Sequence, residues 1–522
     1  MFFLALATGC FAYLILAIGL LNQLRPSVLL FPTIIYLTVC LFFLLKNFQS
    51  LQPFRLKLKL AKREIFFLVL IGLAFVIHLI GALAPEIFYD ALWYHLTLPK
   101  FYLLREKIYF IPGNLYFQST YPRLIEMLYT AALALGNEIT AKLIHYLFAL
   151  LSACLIFKIG RQFFGRFIGL AAVLIFITDL SVGWEATTAY IDLGRAFFEI
   201  AALYYFLQWS KKKTNPELLK TGIMLGLAIS TKFLALASLL VFAVLTFCLA
   251  RKEKLKKIIN LVWPAIFFSA YWFIDAFIQT GNPVYPLFTD KLHSGHDLVF
   301  HPPLNLIIDF FKLSNFPEDW TTPISPLYLI SLPLVYSLLK KNKQALILAG
   351  YCLLTYLGWF FTPRTGGSRF FLPYLPAFSL LAASVFSLKE KRFRLYQLTA
   401  ATAVLIVASG NLAVRAYINA KALPYLLSRQ SKHQYLVENL SLDNTFLDVD
   451  HSFAQQIKAD ERVLVIGGQN LFYIDFPFSH QSVNDNLDYD YILTQYVDLP
   501  EKYGSPELIY TNSQTQVKLY RL

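Results

Sequence analysis

Residues 64–99 read EIFFLVLIGLAFVIHLIGALAPEIFYDALWYHLTLP. The first part is an apolar run long enough to cross a bilayer, because a helical span needs about 20 such residues. Where that run should leave the membrane, the chain places a carboxylate, Asp90, and a histidine, His95, among aromatic rings. Ionisable groups at the edge of apolar sequence are costly, so they carry a functional reading with a partner. The alternative is that Asp90 caps a helix starting at Ala91, accepting from its free N–H groups.

Composition supports a membrane protein. Of 522 residues, 57% are hydrophobic and 15% charged, against about a quarter charged in a soluble domain. The formal charge of +14 is unevenly spread: residues 414–522 carry 9 Lys+Arg against 13 Asp+Glu, leaving 37 against 19 for the rest. The excess lies in the apolar part, where it reports topology rather than a nucleic-acid surface. All five cysteines lie in apolar runs without metal-ligand spacing and read as small core hydrophobes. The opening MFFLALATGC has no basic segment before its apolar residues, so a retained helix is expected rather than a cleaved signal.

Apolar segments near 2–21, 27–45, 64–84, 139–157, 167–184, 194–209, 218–232, 233–250, 258–278, 324–339, 344–362, 371–388 and 395–413 predict about 13 transmembrane helices. The basic clusters at 46–64, 158–166, 211–213, 251–257, 340–343 and 389–394 all fall in even-numbered gaps, which puts those gaps on the cytoplasmic side. The remaining gaps, and everything after about 414, then face outside. The tail carries strand-like segments at 462–468 (RVLVIGG) and 489–496 (YDYILTQY), and a closing pair within 507–522 with a turn at Asn512-Ser513. The expected fold is an all-α polytopic membrane protein with a small C-terminal α/β domain. It divides into 1–63 (two helices and a basic loop), 64–413 (the catalytic membrane domain) and 414–522 (the extracytoplasmic domain).

A second outer carboxylate, Asp192 in EATTAYIDLGRAFF (185–198), again opens a helix after a tyrosine. Two such acids can converge on one cavity, one as general base and the other orienting an acceptor or holding a cation. Glu185 and Asp179 compete for the second role. On the same face, Lys232 stands between two short apolar segments, and Arg364 and Arg369 lie in TPRTGGSRFFLPYLP (362–376). Arginine suits phosphate because its planar fork donates in pairs; contact with lipid headgroups is the other reading. HSGHDLVFH (293–301) offers His293, His296, Asp297 and His301 at a spacing compatible with a metal, but a solvated loop is the reading taken and no metal site is expected. The acid pairs at 448–450 and 488–490 read as loop and strand-edge acids, and VLVIGGQN (463–470) lacks a full phosphate-binding spacing.

YDALWYHLTLPKFYL (89–103), YPRLIEMLYTAAL (121–133), AYIDLGRAFFEIAALYYF (189–206), GIMLGLAISTKFLAL (222–236), TGNPVYPLF (280–288) and SRFFLPYLPAFSLLAA (368–383) occur in this order. The set resembles the GT-C-type glycosyltransferases that use polyprenyl-phosphate sugars. These include protein O-mannosyltransferases, the aminoarabinose transferases of lipid A and transferases acting on lipopolysaccharide cores. The resemblance covers most of 64–390. It implies that Asp90 is the first-loop catalytic acid, that Asp192 is the second acidic position, and that Lys232 and Arg369 meet the lipid phosphate. Two features depart from the family pattern: two extra helices precede the catalytic loop, and Ala91 follows Asp90 where the family has Glu. The second departure argues against a tightly bound catalytic metal, and no cofactor is expected.

The expected activity is therefore inverting transfer of a hexose or pentose from a polyprenyl-phosphate donor to an acceptor hydroxyl on a glycan, lipid or protein. The protein would be multi-pass in the cell membrane, bathed in membrane lipids, with its active site extracytoplasmic and no nucleic-acid partner. Tyr89, Trp93, Tyr94 and Tyr190 would form a wall for the sugar, unless they belong to the interfacial aromatic belt. Glu185 joins the sugar- or acceptor-binding set, and His95 is expected to act as a hydrogen-bond partner. The competing reading is a transporter or flippase. Transporters place ionisable residues near the midplane on broken helices, often in repeated halves; here the acids cluster at outer ends and no repeat shows.

Overall fold

The computed structural model describes residues 1–50, 60–113, 115–289, 305–315, 324–361, 367–443, 445–458, 460–482 and 488–522. The histidine-rich loop 293–301 and Arg364 lie outside the described residues. Helices α1 (Phe2–Leu20), α2 (Pro26–Ser50) and α3 (Lys62–Ala82) lead into the first large loop, which holds a π-helical turn Ala91–His95 and α4 (Thr97–Leu104). Then come α5 (Leu124–Leu135), α6 (Glu138–Phe163), α7 (Arg166–Ile177), α8 (Leu180–Glu185), α9 (Asp192–Lys212), α10 (Asn215–Thr231), α11 (Leu236–Leu249) and α12 (Lys254–Thr280). The last group is α13 (Asn305–Asn315), α14 (Val335–Lys341), α15 (Lys343–Phe360), α16 (Leu375–Ala383) and α17 (Arg394–Ala420).

Each expected span is helical. Among the described residues, seven helical stretches are long and apolar enough to cross a membrane: α1, α2, α3, α6, α12, Arg369–Ser387 and Lys391–Ala420. The chain is a multi-pass membrane protein. The other segments fall short for identifiable reasons. The segment expected at 167–184 breaks because the Asp179 carboxylate caps α8, accepting from Ser181 N–H (2.9 Å) and Val182 N–H (3.3 Å). Helix α9 is buried almost all round, but Arg195, Glu199 and Gln208 lower its hydropathy. The stretch 218–250 does divide: α10 ends at Thr231, Lys232 is extended, and a 3-10 turn Phe233–Ala235 leads into α11. Helix α5 was not expected as a core element. At 12 residues it is about 18 Å long, too short to span, yet it is largely buried and packs against α1, α2, α4 and α6.

Glycines let the central helices touch. A Cβ on Gly160 (α6) would stand 2.4 Å from Gly169 Cα (α7), and one on Gly222 (α10) would stand 2.2 Å from the Leu261 carbonyl oxygen (α12). At the basic end of this bundle, the Arg166 guanidinium grips Glu64 with two bonds of 2.8 and 2.6 Å, joining the starts of α7 and α3.

After α17, the short helices α18 (Leu423–Leu426), α19 (Lys432–Asn439) and α20 (Ser452–Gln456) precede a five-stranded sheet. Its strands are β1 (Val463–Gly467), β2 (Phe478–His480), β3 (Tyr491–Gln495), β4 (Glu507–Asn512) and β5 (Val517–Arg521), in the order β2-β1-β3-β5-β4. β1 pairs in parallel with β2 and β3, while β5 runs antiparallel to β3 and β4. Asp448 and Asp450 accept backbone N–H groups at the start of α20, and Asp490 accepts from Arg462 N–H. These acids serve loops, as expected.

If the α6–α7 contact holds the bundle, Gly160→Ala should destabilise it by about 1–3 kcal/mol through overpacking. Gly410→Ala, where an added Cβ meets nothing within 4 Å, is the control. Thermal unfolding of the purified proteins in detergent decides; equal stabilities would refute the contact.

Candidate active site

Four of the predicted residues meet at the ends of α3, α9 and α10. Asp90 Oδ2 accepts from Arg369 Nη1 at 2.5 Å and from the Tyr94 hydroxyl at 3.0 Å. Asp192, the first residue of α9, accepts at Oδ1 from Lys232 Nζ at 2.8 Å, and its Oδ2 lies 3.7 Å from Arg369 Nε. Arg369 thus bridges both carboxylates, and all four side chains are mostly buried. The break between α10 and α11 turns Lys232 toward Asp192, and a 3-10 turn, Gly367–Tyr374, presents Arg369. Asp90 makes no capping hydrogen bond to the turn that follows it, so its carboxylate serves Arg369 rather than the helix end. Burial pushes the Asp90 carboxyl up, but Arg369, His95 and Tyr94 outweigh it and hold the group below its ordinary value.

Both Glu185 carboxylate oxygens and Asp192 Oδ2 are buried, and none finds a hydrogen-bond partner among the described residues. Burial and then the Asp192 charge push Glu185 well above the usual carboxylate range. His145 Nε2 is 3.7 Å from Glu185 but already accepts Leu193 N–H at 3.0 Å. That bond leaves the His145 proton on Nδ1, which donates to the Glu185 and Thr188 carbonyls, each at 2.9 Å. Asp179 stands apart: besides capping α8 it accepts Ser325 N–H at 2.8 Å.

The aromatic residues form a continuous chain of tilted and edge-to-face rings. It runs Tyr89–Trp93 (5.8 Å), Trp93–Tyr94 (5.3 Å), Tyr94–His95 (4.2 Å), His95–Tyr190 (5.6 Å) and Tyr190–Trp184 (5.3 Å). Tyr190 also lies under the Arg369 guanidinium, 4.9 Å from the ring centre, and its hydroxyl accepts Asp90 N–H at 3.1 Å. Trp93 Nε1 donates to the Leu115 carbonyl at 3.0 Å. His95 Nδ1 is 2.7 Å from Glu126 Oε1 on α5, a buried partner that sequence reading did not supply.

Sequence reading also missed Glu86, Lys142 and a polar network below the site. There Arg195 reaches Glu199 (3.1 Å) and the Tyr374 hydroxyl (2.7 Å), while Ser238 (2.6 Å) and Tyr351 (3.2 Å) donate to Glu199. Arg195 and Glu199 lie three and seven residues after Asp192, on the same helix face, and that spacing was the available signal. Among the described residues no group of three or more His, Cys, Asp or Glu side chains is arranged to hold a metal ion.

The family model described as dolichyl-phosphate-mannose-protein mannosyltransferase matches residues 124–274. The structure is similar to that of ArnT from Cupriavidus metallidurans bound to undecaprenyl phosphate, with a TM-score of 0.56 at 12% identity, covering 87% of this chain and 97% of that one. The apo form of the same protein gives 0.54 at 13% identity with the same coverage. No curated protein sequence matches the chain. The resemblance read from the sequence is borne out: the chain has the fold of the GT-C-type glycosyltransferases.

Removing one member of a buried ion pair strands the other, at a cost of about 3–5 kcal/mol. Asp192→Leu and Lys232→Met should therefore each destabilise the protein, and the double variant should be destabilised by less than the sum of the two. Thermal unfolding measures this. Strict additivity would mean that the two charges do not depend on each other.

Proposed function

We propose that this chain is an inverting glycosyltransferase that moves a sugar from a polyprenyl phosphate to an acceptor hydroxyl at the outer membrane surface. The observation that carries the proposal is the pairing of two carboxylates with two cations, Arg369 shared between both, beside a wall of aromatic rings. A phosphodiester arriving on the lipid would bind Lys232, which stays on Asp192, and would draw Arg369 away from Asp90. Asp90, released from Arg369, then takes the acceptor hydroxyl proton as that oxygen attacks the anomeric carbon. The bond from that carbon to the phosphate oxygen breaks with its electron pair on the phosphate, whose charge grows from one to two. Lys232 and Arg369 stabilise that growing charge more than they stabilise the substrate, which is the condition for catalysis. Asp192 keeps Lys232 in place, and Glu185 is free to hold a sugar or acceptor hydroxyl. Arg369 bridges the two carboxylates and Lys232 pairs with Asp192, so the two acids are already neutralised by the chain itself, and transfer is expected to survive chelation by EDTA.

The outward orientation rests on the separation of charge. The basic clusters fall at one set of helix ends, where Arg166 meets Glu64, and the carboxylates and the sheet domain lie at the other. Single cysteines at the exposed positions 212 and 438, in a background without the native cysteines, should therefore differ toward an impermeant thiol reagent in intact cells. Labelling at 438 only is expected, and labelling at 212 only would reverse the orientation.

General-base assistance is worth about 10²–10⁴ in rate, so Asp90→Asn should lose at least that much. The fold should survive, because Arg369 can still donate to an amide oxygen. Lys232→Ala and Arg369→Ala should raise KM for the lipid donor and lower kcat. The assay is transfer of radiolabelled sugar from polyprenyl-phosphate donors per mole of folded protein. Near-native turnover in Asp90→Asn would remove it as the base.

A further inference from the structure

Glu86 stands four residues before Asp90 at the end of the apolar run and is fully buried. Its Oε1 accepts Ile87 N–H at 2.9 Å and Phe88 N–H at 3.0 Å. Its Oε2 accepts the Thr188 hydroxyl at 3.0 Å and Ala189 N–H at 2.7 Å. One carboxylate therefore holds both acid-bearing loops, its own segment leading to Asp90 and the segment that reaches Asp192 three residues after Ala189. From this geometry we infer that Glu86 is a positioning residue. It sets the register between the Asp90 and Asp192 loops, so that a single arginine can bridge the two acids.

Three features support this assignment. All four partners donate, so only a group that accepts at both oxygens satisfies them; a glutamine would turn an NH₂ toward one pair of donors. Second, no cation pairs with Glu86 among the described residues. The nearby Lys142 ammonium instead donates to the carbonyls of Gly81 (3.1 Å), Ala84 (2.7 Å) and Pro85 (3.2 Å), which pins the end of α3 from which Glu86 projects. The buried Lys142 charge acts on Glu86 only at a distance, so the four hydrogen bonds, not a contact ion pair, fix where the Glu86 carboxylate points. Third, Arg369 contacts Asp90 at 2.5 Å and lies 3.7 Å from Asp192, and a shift of about 1 Å between reacting groups can cost about 10² in rate.

This inference rests on the glycosyltransferase reading for its catalytic consequence but not for its structural one. Lys232 and Arg369 lie on neither loop, so donor binding should be spared while the chemical step suffers. Glu86→Gln is expected to lower kcat about 10- to 100-fold, with donor KM changed less than about twofold. In hydrogen–deuterium exchange of the purified full-length protein, peptides covering 85–90 and 186–191 should exchange at least about tenfold faster together. The strand at 491–495 should be unchanged. Should Glu86→Gln fail to fold, Thr188→Val, which removes one of the four bonds, should speed exchange in 186–191 and lower kcat, and Thr188→Ser should restore both. Native kcat in folded Glu86→Gln or Thr188→Val, while Asp90→Asn is inactive, would overturn the inference, as would unchanged exchange in 186–191. If the native protein transfers no sugar from any polyprenyl-phosphate donor, the glycosyltransferase reading fails, and the exchange measurement alone still decides whether Glu86 couples the loops.

Discussion

The structure turns on one guanidinium held between two carboxylates. Asp90 and Arg369 are separated by 279 residues in sequence, and Asp192 belongs to a third segment. Each charge is removed from water, at a cost of several kcal/mol per ion that only close and well-directed pairing offsets. The pairing exists only if the loop after α3, the start of α9, the break before α11 and the turn before α16 all arrive at one point. The folded bundle and the candidate site are therefore one geometric problem.

Beneath that cluster, the rest of the bundle fixes the parts that carry the charges. Arg195 donates to the Tyr374 hydroxyl at 2.7 Å, tying α9, which begins with Asp192, to the turn that presents Arg369. Ser238 on α11 and Tyr351 on α15 complete the shell of Glu199. In an apolar environment each of these groups has few alternative partners, so the network holds four elements at fixed spacing. The glycine contacts work in the same direction, since backbones that touch leave little freedom to slide.

Much of this was legible in the sequence because the signals were local. Apolar runs and basic clusters marked the helices, and a polar residue in apolar surroundings drew attention to Asp90, Asp192, Lys232 and Arg369. Which anion faces which cation was not legible, because partner identity is a tertiary fact. Lys232 and Arg369 were read as phosphate ligands alone, yet in the folded chain they neutralise Asp192 and Asp90. Glu86 was passed over since a glutamate after a proline at a helix end reads as a solvated loop. Lys142 lay unnoticed inside an apolar span, and Glu126 was not connected to His95, which lies on another element. Helix α5 escaped because its length is that of a loop helix while its burial is that of a core helix. In the tail, alternation and turn chemistry were enough to place β1, β3 and the closing hairpin.

The tail is attached where the chemistry would occur. Lys100 Nζ donates to the Phe472 carbonyl at 2.8 Å and also to that of Ile474, the Tyr473 hydroxyl donates to the Glu86 carbonyl at 2.6 Å, and Tyr89 donates to Gln469. Burial lowers Lys100 to about 8, so the ammonium depends on those carbonyls for its solvation. Gln469 follows Gly467 and Gly468, whose φ angles of +74° and +65° are left-handed values that glycine adopts at least cost. That tight turn at the end of β1 sets Gln469 against Tyr89, the residue before Asp90. The sheet domain is thus braced on the loop that carries Asp90, through Tyr89, the Glu86 carbonyl and Lys100, so the tail helps to form the surface beside that acid.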